Sequence, residues 1–368
     1  MLLRKNKTII SLCLISTLVL STSLLGCGKK TTTDTTTPKT TDFKSPTKED
    51  VTKEGALVSY GMPDEWANYG EIFTNIKTQF GITHQDTDMT SAEELAKFKA
   101  EKDKPVADIG DVGITFGNVA KTSGLVQPYK TKYWSEIPDW AKDADGYWTA
   151  AYTGSIVLLV NKKMVSKVPA SWADLLDPSY KGKIVTGDML KAAQSQNALL
   201  AAAFANGGDE KNVTPGVEYF AKLQKAGNLK PIDNRIANFQ KGEIAVGMLW
   251  DFNALSYKEK MPNPDDYVVV VPSDGTVMSA YVALINKWAP HPNAAKAFQD
   301  YLFSDEGQVL LAKGFTRPIR KVTLPSDIAS KLIPDAQYAS AKQIKDYSAW
   351  EETVKGIPDL WRDKVLTQ

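Results

Sequence analysis

Cysteine is nearly absent from this chain: among 368 residues only Cys13 and Cys27 carry a thiol, and both lie near the start. The rest of the sequence therefore has no disulfide, no thiolate metal site and no catalytic thiol. Histidine is equally scarce. His84 falls in a polar stretch and His291 just ahead of a helical pattern, and neither neighbours a nucleophile or a second ligand. Charge of one sign is missing as an excess, since 44 Lys+Arg against 43 Asp+Glu leave a net +1. Without a basic field the chain lacks the electrostatic footprint of a protein that binds nucleic acid or an acidic membrane surface. Arginine thins out after the leader to Arg235, Arg317, Arg320 and Arg362, a poor supply for bidentate oxyanion recognition. There is no H-E-x-x-H, no G-x-S-x-G, no G-x-x-x-x-G-K-[ST] and no G-x-G-x-x-G. Chemistry through any of those motifs is excluded, and no cofactor or metal is implied.

What is present begins with a leader. Arg4, Lys5 and Lys7 precede an apolar run, residues 9–25, broken only by Ser and Thr. This is the pattern of a secretory signal peptide, and it falls short of the about 20 apolar residues that cross a bilayer. The run ends in Leu24-Leu25-Gly26-Cys27, which resembles the bacterial lipobox, a small residue before a cysteine that is acylated and begins the mature protein. Residues 29–52 are polar and Thr-rich with Pro38 and Pro46, a disordered tether by composition. An acylated Cys27 followed by such a tether holds a folded body near the outer face of a bacterial membrane.

That body has globular composition, 43% hydrophobic and 24% charged, and length for about two domains. Short apolar strands stopped by glycine alternate with helices. Residues 55–61 (GALVSYG) form a strand and Met62-Pro63-Asp64-Glu65-Trp66 starts a helix. The same order recurs at residues 107–113, at 182–188 ahead of an Ala-rich helix over 190–204, and at 242–250. Strand followed by helix predicts an α/β fold with parallel sheets. Two longer β-rich runs, residues 152–160 (YTGSIVLLV) and 277–285 (VMSAYVALI), read as crossings between two lobes with a ligand cleft between them.

Several stretches carry a family resemblance. They are residues 169–183 (PASWADLLDPSYKGK), 242–250 (GEIAVGMLW), 289–298 (APHPNAAKAF), 304–308 (SDEGQ) and Arg317-Pro318. Their order and spacing resemble the solute-binding lipoproteins of ABC transporters with the type II periplasmic-binding fold, in the ferric-iron and polyamine-type branch. The resemblance implies a small-molecule receptor that closes two lobes over a solute and delivers it to an ABC permease and its ATPase. It implies a monomer, no enzyme activity and no nucleic-acid partner. It divides the chain into signal peptide 1–26, acylated cysteine and tether 27–52, first lobe 53–154, second lobe 155–277, a return to the first lobe 278–322, and C-terminal helices 323–368 on the second lobe. Ferric iron in that family is held by adjacent tyrosines, and this chain has no Tyr-Tyr pair. The residues also explain themselves as packing: Asn293 is placed to cap a helix with Phe298, Tyr301 and Leu302 on its buried face, and Ser304 to cap the next.

Open α/β sheets bind ligands at the carboxyl ends of strands, which selects Tyr60 and Gly61, Asp111 and Gly113, Tyr152 and Thr153, Thr186, Gly187 and Asp188 with Ser195, Trp250 and Asp251, and Tyr281. An amine solute needs a carboxylate and an aromatic wall. Trp250 with Asp251, joined by Tyr60, Tyr281 and Asp111, supplies both. A small oxyanion or sugar phosphate would use helix N-termini and hydroxyls such as Thr153, Thr186 and Ser195. Two other classes fit the same tether: a hydrolase built on Asp108, Asp111, Asp188 and Asp251, and a display or adhesion protein.

Overall fold

The computed structural model describes residues 44–368, so the signal peptide, Cys27 and most of the tether lie outside the described residues. The strands are β1 (Ala56–Tyr60), β2 (Thr83–Thr87), β3 (Ile109–Gly113), β4 (Thr149–Asn161), β5 (Ile184–Val185), β6 (Val246–Trp250), β7 (Tyr267–Val270), β8 (Thr276–Ile285), β9 (Arg317–Pro318) and β10 (Ala341–Gln343). They join in the order β2-β1-β3-β8-β4-β6-β5, with β10 beside β8 and with β7 and β9 beside β4.

Two parallel sets flank a pair of shared strands. β1 pairs in parallel with β2 and β3, and β5 in parallel with β6. The expected crossings are β4 and β8, which lie side by side and antiparallel. β4 divides its partners along its length: up to Ser155 it faces β8 and β9, and from Ile156 onward it faces β6 and β7. All its residues are buried, which is why it reads as a continuous apolar run rather than an alternating one. One lobe is thus built on β1–β3 and the other on β5–β7. The Ala-rich helix, Ala193–Ala205, is buried on every side, as a helix without a polar face must be.

Four local expectations are corrected. The first helix of the body proper begins at Tyr69 rather than in residues 62–66, because the chain turns at Pro63–Trp66 and then passes through left-handed conformations at Ala67 and Asn68. The tether ends before Lys48 rather than at 52: Lys48–Glu54 is a helix with a Thr47/Asp50 capping box and a fully buried Val51. Helix Pro292–Leu302 is capped at His291, with Pro292 in the first turn; Asn293 lies inside it and its amide donates to Glu54 at 3.1 Å. The last helix, Tyr347–Trp361, touches both lobes: Asn118 donates to Glu351 at 2.7 Å, Thr353 donates to the Glu210 carbonyl at 2.8 Å, and Trp361 packs edge-on to Phe220. Among the described residues no helix is long and apolar enough to cross a membrane.

Candidate functional site

A cavity of about 330 Å³ lies between the lobes. One wall comes from the β1–β3 lobe: Gly61 and Trp66 after β1, Ser91 and Glu94 from helix Ser91–Ala100, and Asp111 from β3. The other comes from the first turn of helix Ala193–Ala205 with Ala193 and Gln194, from Asn234 and Arg235, and from Asn253 and Tyr257 of helix Asp251–Glu259. Tyr281 of β8 lines it from the shared strands.

Asp111 is the centre of the first wall. It is 2% exposed, and its Oδ2 accepts from Tyr152 Oη at 2.6 Å and from Trp66 Nε1 at 3.2 Å. Its Oδ1 is buried without a hydrogen-bond partner. Burial pushes the carboxyl up to about 8, against the pull of its donors. Glu94 stands next to it, 1% exposed, with Oε2 accepting the Asp111 amide at 3.1 Å, and burial together with the Asp111 charge raises it well above the carboxylate range. Gly61 makes room for this acid. A Cβ there would stand 2.1 Å from Glu94 Oε1, and its φ of +70° suits glycine alone. Aromatic rings crowd behind: Tyr152 stacks on Tyr281 at 5.8 Å, and Trp66 meets Phe252 and Tyr281 edge-on at 5.1 and 5.2 Å.

The second wall is polar and of opposite character. Helix Ala193–Ala205 has Ala192 at its N-cap and no side chain capping it, so its first-turn amides present the positive end of the helix to the cavity. Arg235 is largely exposed, 3.8 Å from both Asp88 and Asp233.

Of the residues chosen from strand ends, Gly61, Asp111 and Tyr281 line this cavity. The others have different places. Tyr60 is core, stacked on Phe98 with its hydroxyl donating to Glu101 at 2.7 Å. Gly113 and Gly187 are close-approach points, where a Cβ would stand 2.6 Å from Ala193 Cβ and 2.7 Å from Ser195 Oγ. Tyr152 reaches the site through its bond to Asp111, and Thr153 pairs with Ala280 and Arg317 across the strands. Ser195 donates to the Thr186 carbonyl, Thr186 to the Gly187 carbonyl, and the exposed Asp188 accepts the Leu190 amide. Trp250 and Asp251 diverge, because β6 ends at Trp250 and a helix starts at once. Trp250 Nε1 donates to Tyr281 at 3.2 Å, whereas Asp251 accepts from Tyr338 Oη at 2.5 Å and from the Phe252 amide at 2.8 Å. Neither Trp250 nor Asp251 lines this cavity, and their side chains go to different partners.

Sequence reasoning missed Glu94 and Trp66. Glu94 had a signal: it sits with Ser91, Leu95 and Phe98 on the buried stripe of its helix, where an acid is out of place. Among the described residues no group of three or more His, Cys, Asp and Glu is arranged to hold a metal ion.

A cleft between two α/β lobes joined by shared strands, lined by one acidic and one helix-end wall, defines a solute receptor. The chain belongs to the bacterial extracellular solute-binding proteins, whose family model matches residues 104–342. It is 32% identical over 292 residues to an "Uncharacterized protein" of Haemophilus influenzae, covering 75% of this chain and 81% of that one. It is 28% identical over 243 residues to the "Putative 2-aminoethylphosphonate-binding periplasmic protein" of Salmonella typhimurium, covering 64% and 68%. The solved periplasmic binding protein AfuA from Actinobacillus pleuropneumoniae, with exogenous fructose-6-phosphate bound, superposes with a TM-score of 0.68 at 23% identity, over 85% of this chain and 99% of that one. The fold is the two-lobe type II periplasmic-binding fold, and the protein is a receptor that delivers a small solute to an ABC importer.

Proposed function

We propose that this receptor captures a small zwitterion, its ammonium group on Asp111 and its oxyanion at the first turn of helix Ala193–Ala205, with aminoalkyl phosphonates as the solute class. The observation that carries this is Asp111 Oδ1, a buried acceptor without a partner on the wall of the cavity, beside a second buried acid and the rings of Trp66 and Tyr281. A buried carboxylate without a counter-charge is costly, and a ligand ammonium supplies that charge while gaining about 0.5–2 kcal/mol per facing ring. The uncapped helix start and Arg235 suit a phosphonate at the opposite wall. The relative named for 2-aminoethylphosphonate binding supports the same pairing of charges.

Calorimetric titration with 2-aminoethylphosphonate, putrescine, spermidine, sulfate and glucose-6-phosphate tests this reading. The aminophosphonate should bind most tightly, and a phosphate without an amine that binds as well in Asp111→Asn as in the wild type would overturn it. The receptor works as a monomer held to the membrane by acylated Cys27. A fatty-acid analogue should label the wild type in cells, and Cys27→Ser should leave the salt-washed membrane; retention of Cys27→Ser there would end the anchor.

A further inference from the structure

Three non-glycine residues among those described have left-handed backbone: Ala67 at φ 50°, Asn68 at 63° and Phe315 at 69°. Neither alanine nor phenylalanine has the short polar side chain that eases this conformation, so the surroundings must impose it. The first two pack against the chain just before the third. A Cβ on Gly314 would stand 2.6 Å from the Ala67 carbonyl carbon and 2.7 Å from the Asn68 nitrogen, and Asn68 Nδ2 donates to the Leu310 carbonyl at 3.0 Å. The end of helix Asp305–Lys313 thus meets the left-handed pair at Leu310 and Gly314, one residue before its own left-handed Phe315.

Both sides of this contact lead to the same hinge strand. Immediately before Ala67, the Trp66 indole N–H donates to Tyr152 Oη of β4 at 2.6 Å and to Asp111 at 3.2 Å, while its ring reaches Phe252 of the other lobe and Tyr281 of β8. Immediately after Phe315, β9 pairs with Tyr152 and Thr153 of β4. One side chain therefore touches both lobes and both crossings, and it is carried by a segment whose backbone is strained.

We propose that Trp66 is the clamp that ties closure of the lobes to the occupied site, and that Ala67 and Asn68, held against Leu310 and Gly314, are positioning residues that preset it. The link to an occupied site rests on the cavity reading above; the presetting of Trp66 does not. Ala67→Gly separates positioning from folding, because glycine accepts a positive φ and removes one methyl group only. Its melting temperature should equal or exceed that of the wild type. Affinity for 2-aminoethylphosphonate should fall about tenfold through faster dissociation, and Trp66→Phe should show the same loss. With 5-fluorotryptophan incorporated, the Trp66 resonance, assigned by its absence in Trp66→Phe, should be sharp in the ligand-free wild type and broadened in ligand-free Ala67→Gly. An unchanged resonance in Ala67→Gly overturns the presetting, as does an affinity loss matched by a lower melting temperature. If the wild type binds no aminophosphonate, the solute reading fails while the ligand-free spectra still decide the presetting.

Discussion

Asp111 and Asp251 are alike by position and unlike in use. Asp111 lies in β3 two residues before its end and Asp251 directly follows β6; each is 2% exposed, and each is close to a tryptophan. Asp251 has its lone pairs taken: Tyr338, the Phe252 amide and the Ser155 backbone all bond it. Asp111 has Tyr152 and Trp66 on Oδ2, and the buried Tyr69 hydroxyl also stabilises its charge, while Oδ1 is left without a partner. Their acidities follow. Burial lifts both, to about 6 for Asp251 and about 8 for Asp111; the Arg317 charge pulls Asp251 back down, whereas the Asp86 charge pushes Asp111 further up. On the proposed reading, Asp251 is a structural tie whose acceptors are used up within the protein, and Asp111 is the recognition group because one of its acceptors is left over.

The sharpest way to break this comparison is Asp111→Asn. The amide oxygen can still accept from Tyr152 and Trp66, so the fold should hold or gain stability, while the amide NH₂ replaces the open acceptor. Removing one partner of a buried pair costs about 3–5 kcal/mol, so aminophosphonate affinity should fall by roughly 10²-fold or more in calorimetry. Retained affinity in Asp111→Asn would place the amine elsewhere.

Next in size is pH. Asp111 keeps its proton up to about 8 in the empty receptor and must lose it to hold an ammonium group. Affinity should therefore rise with pH by up to about tenfold per unit below about 8, with proton release visible as a buffer-dependent binding heat. Empty-receptor stability runs the other way. Between the ordinary aspartate value of 3.8 and about 8 only the unfolded chain has lost this proton, so stability falls as pH rises, by up to about 1.4 kcal/mol per unit. Glu94, also raised by burial, acts in the same direction. Asp111→Asn should flatten both slopes, by titration and by thermal melts.

Asp251→Asn should show the converse of Asp111→Asn. One amide oxygen cannot serve donors from Tyr338, Phe252 and Ser155, so the variant should lose about 1–3 kcal/mol of stability in denaturant melts while its solute affinity stays within about threefold. The smallest effect is expected at Arg235, whose exposed side chain forms only long ion pairs. Arg235→Ala should cost no more than about 1 kcal/mol of affinity, and less as salt is raised.

The strand-end rule found both aspartates and could not tell them apart, because the difference lies in partners far along the chain. Tyr338 is 87 residues from Asp251, and Tyr152 is 41 from Asp111. Lobes and crossings were legible because β4 and β8 are long β-rich runs without a charged residue. Trp66 was not, since its loop takes its shape from Gly314 and Leu310, near the other end of the molecule's sequence. Glu94 was marked only by its place on the stripe of Ser91, Leu95 and Phe98, in a helix whose other lysines and acids read as a solvated surface.

The late position of β9, β10 and helix Tyr347–Trp361 bears on the order in which the chain can assemble. β9 completes β4, β10 completes β8, and the last helix fastens Asn118 of one lobe and Glu210 of the other. Neither lobe has all its partners until the final residues arrive, and such long-range closures are slow steps in folding. The chain up to residue 316 therefore lacks the strands that complete β4 and β8 and the helix that fastens the two lobes to each other.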